Sequence, residues 1–133
     1  MNLADALLKQ SKALPADASA VTSDAIDLQV TPTGDFLANC EFLLEAPALA
    51  TGELGDDDTM TYDLVASEAA DLSNPVTLAS ALITQTGAGG AGAAAATARY
   101  RPPTDVKRYV GFKATNSAAG DASGKSATLS LRC

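Results

Sequence analysis

A chain of 133 residues is long enough to close one hydrophobic core and too short for two, so one domain is expected. Apolar residues at 47% against 19% charged exclude the polar composition of a disordered chain. A net charge of −7 argues against nucleic acid as the main partner, because phosphate binding runs on Lys and Arg.

At the amino terminus Leu3, Leu7 and Leu8, with Ala4 and Ala6, suit a turn or two of amphipathic helix that Pro15 would end. Residues 1–20 are accordingly read as an arm and 21–133 as the domain. From Ser23 the apolar period becomes two. Ile26, Leu28 and Val30 alternate with polar residues up to a turn at Thr31-Pro32-Thr33-Gly34, and Phe36, Ala38, Cys40, Phe42 and Leu44 share the face of a longer strand closed by Pro47. Residues 48–58 read as a loop. Met60, Tyr62, Leu64 and Ala66 form a third set, followed by a polar connection to Pro75. Val76–Ser80 and Ala81–Thr86 read as two shorter strands. Gly87–Ala96 holds only Gly and Ala and reads as a flexible loop. Thr97–Arg101 leads to Pro102-Pro103, which suits an edge or a turn. Tyr109–Asn116 carries Val110, Phe112 and Ala114 on one face, and Ala127, Leu129 and Leu131 face the core in the last strand. About eight strands with closely spaced turn signals, and no helices of crossover length, predict an antiparallel all-β sandwich or barrel.

The chain has no histidine, which removes Ser-His-Asp and Cys-His catalysis and the commonest zinc ligand. No enzyme, metal or cofactor is expected. Cys40 lies on an apolar face, and the two cysteines have no metal spacing, so a reduced compartment is the simpler inference. The first ten residues lack the basic and apolar regions of a signal peptide, and no run of apolar residues suits a bilayer. Gly87-Ala88-Gly89-Gly90-Ala91-Gly92 satisfies the spacing of a dinucleotide loop, yet its strand-rich context offers no βαβ unit. Asp56-Asp57-Asp58 lacks the glycine and terminal glutamate of a calcium loop.

Charge is unevenly spread. Residues 1–98 carry fourteen acids and two lysines, a sum of −12, whereas residues 99–133 carry seven Lys or Arg and two Asp, a sum of +5. This reads either as solvated strand faces that differ in sign or as a basic patch facing an acidic partner. On the second reading Arg99, Arg101, Lys107 and Arg108 lie near a protein interface; separately, the apolar face of the arm reads either as a frayed terminus or as a contact arm whose Leu3 and Leu7 touch another subunit.

The order of segments carries a resemblance. A leucine-bearing arm precedes the Ile26-Asp27-Leu28 strand, then Phe36–Glu45, then Thr61-Tyr62-Asp63-Leu64-Val65 with its Ser-Glu-Ala-Ala-Asp-Leu-Ser-Asn-Pro continuation. Arg101-Pro102-Pro103-Thr104, Arg108-Tyr109-Val110-Gly111-Phe112 and Ser126-Ala127-Thr128-Leu129 follow. From about Leu3 onward this resembles the small jelly-roll capsid cement, or decoration, proteins of tailed bacteriophages of the Bordetella-phage type. The resemblance implies a jelly-roll β-sandwich of about eight strands. It further implies a subunit made in the host bacterial cytoplasm that sits on the outer capsid surface of the virion and bridges neighbouring major capsid proteins. A homo-oligomer is implied, a dimer before a trimer, with no nucleic acid or membrane partner. Jelly rolls also host lectins, so the alternative is a carbohydrate-binding module for host attachment.

Overall fold

A computed structural model describes residues 9–28, 40–101, 107–118 and 120–132. The described residues form nine strands and no helix: β1 (Lys9–Ala13), β2 (Ala20–Thr22), β3 (Ile26–Asp27), β4 (Glu41–Ala46), β5 (Thr59–Ser67), β6 (Val76–Thr86), β7 (Ala96–Tyr100), β8 (Tyr109–Asn116) and β9 (Ser126–Arg132). One sheet has the order β1-β9-β4-β7 and the other β2-β8-β5-β6, with β3 extending β2 along β8. Every ladder between these strands is antiparallel. The protein is thus an all-β antiparallel sandwich.

The two-residue period places the core. Phe42 and Leu44 of β4 meet Met60, Tyr62, Leu64 and Ala66 of β5, Val110, Phe112 and Ala114 of β8, and Ala127, Leu129 and Leu131 of β9, all of them buried. Alternation puts successive side chains on opposite faces of a pleated strand, which is why these residues come from every second position. A smaller apolar cluster lies on the outer face of the second sheet, where Val65 pairs with Gly111 in register and the connection after β5 folds Leu72 over them. A Cβ at Gly111 would come 2.6 Å from Leu72 Cδ1 and 2.9 Å from Ser23 Oγ, so a larger residue here would require those side chains to shift.

Three expectations change. Of the segment read as an arm, Lys9–Ala13 is an edge strand of the first sheet and Leu14 is a core residue, while residues 1–8, with Leu3 and Leu7, lie outside the described residues. Val76–Thr86 is one strand, not two. Its register against β5 shifts on both sides of Leu64, and Ala81 sits at φ 53° with its N–H donating to Asp63 Oδ1 at 2.7 Å. A side chain replaces the ladder partner that the irregularity removes. Cys40 is buried as its face predicts, but it is disulfide-bonded, which overturns the reduced-thiol inference. The other cysteine of the chain, Cys133, lies outside the described residues.

The connections gather at two ends. At one, the glycine pole, residues 14–19, 47–58, 87–95 and 117–125 cross between the sheets. At the other, the hairpin pole, lie the β5–β6 hairpin, the described ends Lys9 and Arg132, and the points where the chain leaves β3 and β7 and returns to β4 and β8.

Candidate functional site

The Gly–Ala tract is not a loose loop. Leu49 and Ala93 exchange two backbone hydrogen bonds of 2.9 Å, Gly87 N–H donates to Asp58 O, Asp57 N–H donates to Gly87 O, and Gly90 N–H donates to the Asp56 carboxylate at 2.8 Å. With only hydrogen at Gly87 and Gly92, the tract packs backbone on backbone against residues 49–58. A Cβ at Gly87 would lie 2.0 Å from Gly55 O, and one at Gly92 1.9 Å from Leu49 O. The tract therefore cannot cradle a phosphate: its approach surface is occupied by residues 49–58, and it leads into strand β7 where a dinucleotide site needs a helix start. The Asp56 carboxylate is committed to Gly90, and no group of His, Cys, Asp and Glu among the described residues suits a metal ion.

Beneath this pole a buried polar network ties the loops to the core. Tyr62 Oη donates to Gln85 Oε1 at 2.7 Å, and Gln85 Nε2 donates to Pro47 O at 2.7 Å and Ala94 O at 3.0 Å. Burial pushes the Tyr62 phenol well above its ordinary range, so it stays a neutral donor. The loop that supplies Leu49 and Leu54 to the core and the Gly–Ala loop facing it are thereby anchored to β5 and β6.

The hairpin pole is built differently. The connection 68–75 holds two non-glycine residues in the left-handed region, Leu72 at φ 58° and Asn74 at φ 47°. Ser67 Oγ donates to Ser73 O and accepts Ala69 N–H, and Ser73 N–H donates to Asp71 Oδ1, which holds the Asp71 carboxyl below the usual carboxylate range. The strained turn is what carries Leu72 down onto Gly111. Between this turn and Lys107 opens a depression of about 440 Å³, lined also by Ala66 and Ser67 at the end of β5 and by Val76 at the start of β6. Val76 is the exposed large apolar side chain of the described residues. Sequence reasoning missed this feature, because a leucine forced to positive φ leaves no trace in composition.

The basic residues singled out by charge do not form one bare patch. Arg108 makes a two-pronged contact with Asp27, Nε to Oδ1 at 2.8 Å and Nη2 to Oδ2 at 3.1 Å, and its guanidinium lies 5.0 Å from the centroid of the Tyr109 ring. Lys107 Nζ reaches Glu68 at 3.5 Å, and Arg99 Nη1 reaches Glu41 at 3.2 Å on the outer face of the first sheet. Arg101 follows β7, exposed at the hairpin pole. Arg132 and Lys125 face Glu45 and Glu53. The split of −12 and +5 along the sequence is thus answered inside the fold, where carboxylates of the earlier strands and loops meet cations of the later ones.

No family model matches the chain, and no curated protein matches it. Among solved structures the chain is similar to one described as "EclA C-terminal domain; sugar-binding protein", at 8% identity and a TM-score of 0.27, covering 98% of this chain and 69% of that one. A likeness at that level bears neither on function nor on the detail of the fold.

Proposed function

We propose that this protein is a structural virion component, a cement or decoration protein that binds the outer surface of a phage head and bridges neighbouring major capsid proteins. The strand order supports the jelly-roll part of this reading. With β3 counted as a continuation of β2, eight strands run in the order 1-9-4-7 facing 2-8-5-6, first strand beside last, which is the pattern of two Greek keys wound together.

One observation supports the functional part: the hairpin pole gathers both described ends of the chain, a strained hairpin, an open depression and partly exposed ion pairs, while the opposite pole is sealed by its own backbone. A protein that grips neighbours needs a stiff body and one end whose loops and arms reach outward. Several weak contacts held together give tight attachment through effective concentration. Leu3, Leu7, Arg101, Lys107 and Arg108 are placed in that contact set by this reading, with a homo-oligomer as the attaching unit. Arg99, on the outer face of the first sheet, stands at its margin.

Purified protein added to undecorated heads should co-sediment with them and raise their melting temperature. Absence of both effects overturns the proposal. The described aromatic side chains are buried or half-buried, so they offer no exposed ring to the apolar face of a sugar. Binding on a glycan array without binding to heads would replace this reading by the carbohydrate one.

A further inference from the structure

We propose that two copies of the chain pair antiparallel through the outer edge of β7, about a twofold axis at Ala98, and so join their first sheets into one. This deepens the homo-oligomer of the proposed function, but it rests on the sheet edges and not on the capsid reading.

The sandwich has four outer strand edges, and a row of unpaired backbone groups is a template for another chain unless something blocks it. Three of the four are blocked. On β1 the position opposite the buried Ala127 is held by Lys12, an inward charge that an added strand would have to cover. The edge beside β8 consists of two fragments, β2 of three residues and β3 of two, too short to guide a ladder. β6 is bent by the register shifts around Leu64 and by Ala81 at positive φ. β7 has none of these devices. Its five residues, Ala96-Thr97-Ala98-Arg99-Tyr100, keep one unbroken register against β4, include no Gly, Pro or Lys, and have no described strand on their other side. Thr97 and Arg99 are exposed, while Ala96, Ala98 and Tyr100 are half-buried at the margin of the core.

A second copy is the occupant because this strand complements itself. An axis at Ala98 lets all five residues pair, with Ala96 opposite Tyr100 of the partner subunit and Thr97 opposite Arg99 of the partner subunit. On the core side a large ring thus lies beside a small side chain, and the half-buried Leu78, whose carbonyl accepts from Tyr100 Oη at 3.1 Å, continues the apolar surface. On the outer side Thr97 already stands opposite Glu45 of β4, so the order across the joint is Glu45, Thr97 and Arg99 of the partner subunit. Neighbouring strands lie roughly 4.8 Å apart, and an extended guanidinium spans the short threonine to reach that carboxylate. Glu45 is half-exposed and its contact with Arg132 is a loose 4.0 Å, which leaves its oxygens open to a second cation. Symmetry makes this contact twice, and no two like charges stand directly opposite.

The test uses the full chain alone, without heads. Sedimentation equilibrium should show a reversible monomer–dimer equilibrium. In Thr97→Lys the new cation stands opposite Glu45 within its own chain, which suits the monomer, and opposite Arg99 of the partner subunit at both ends of the joint. This variant should keep the wild-type melting temperature and raise the dimer Kd roughly tenfold or more. Adding Arg99→Glu to it makes the facing pair opposite in sign and should restore the dimer. Amides of β7 should gain protection from exchange with rising concentration in wild type and in the double variant, and not in Thr97→Lys. Wild type that stays monomeric at every concentration overturns the proposal, and if that monomer still binds heads the cement reading stands without it. A dimer that Thr97→Lys does not weaken, or that the double variant does not restore, is built on another surface and overturns it as well. The expected pattern in protein that does not bind heads would sustain this interface and remove the capsid reading.

Discussion

The two ends of this sandwich solve the problem of ordering a loop by opposite means. At the glycine pole, a tract of Gly and Ala is fixed against the facing loop, itself pinned to the core by Leu49 and Leu54, through main-chain hydrogen bonds, direct backbone contact and one buried Tyr–Gln network. At the hairpin pole, the chain is positioned by a strained turn and by exposed ion pairs between side chains. Backbone contacts made in a close-packed setting tolerate no added atom, whereas exposed ion pairs rearrange at small cost. One pole is a structural seal, and the other is held by side-chain contacts that can rearrange.

The largest expected effect follows from adding a single methyl group at the sealed pole. Gly92→Ala sets a Cβ 1.9 Å from Leu49 O on a residue at φ 69°, so the ring of bonds between Leu49 and Ala93 has to open. Overpacking and left-handed strain together should lower stability by about 3 kcal/mol or more in urea denaturation. Gly89→Ala is the matched control. Its φ is 63°, yet nothing lies within 4 Å, so only the conformational cost of about 1 kcal/mol remains. Equal losses in the two variants would dissolve the contrast between the poles.

Much of the fold is legible in the sequence, and the parts that are not share a cause. Phe42, Leu44, Tyr62, Leu64, Phe112 and Leu129 announce their strands and inward faces because a period of two is a property of side chains. The Gly–Ala tract has no side chains to speak through, so its composition suggests freedom while its backbone is tied. The unity of β6 is hidden because an alanine at positive φ is set by its neighbours and not by its own preference. The charge split admits both an external patch and internal pairing, and only the strand order decides that Glu41 meets Arg99 and Asp27 meets Arg108. Of the candidate site, the cations were legible; the depression beside Val76 was not, because it depends on how Leu72 crosses the sheet.

A middle-sized effect tests the anchor beneath the glycine pole. Tyr62→Phe removes the donor to Gln85 Oε1 and leaves a buried amide oxygen unpaired, which should lower stability by about 1–3 kcal/mol. The same variant carries a pH signature. Because burial raises the folded-state phenol above its ordinary value of 10.0, the stability it contributes is complete below that pH. Above it the unfolded chain releases a proton that the folded chain retains, and stability falls by up to about 1.4 kcal/mol per pH unit. The difference between wild type and Tyr62→Phe should therefore shrink as pH rises from 10 to 11. A constant difference over that range would show that the phenol is not shielded.

The smallest effect on folding belongs to the hairpin pole, and there the effect on binding should be larger. Asp27 and Arg108 are each about two-fifths exposed, and pairs so exposed contribute about 0–1 kcal/mol. Asp27→Asn should accordingly leave the melting temperature within a few degrees of wild type while releasing Arg108 from its partner. If the pole grips acidic sites on a capsid, that release strengthens attachment and steepens its weakening by salt, because the guanidinium no longer has to exchange one carboxylate for another. Arg101→Glu together with Arg108→Glu should reverse the outcome, lowering occupancy on heads at unchanged fold. A stability loss of several kcal/mol in Asp27→Asn would mean that this pole, like the other, is sealed by its own contacts and has nothing to offer a neighbour.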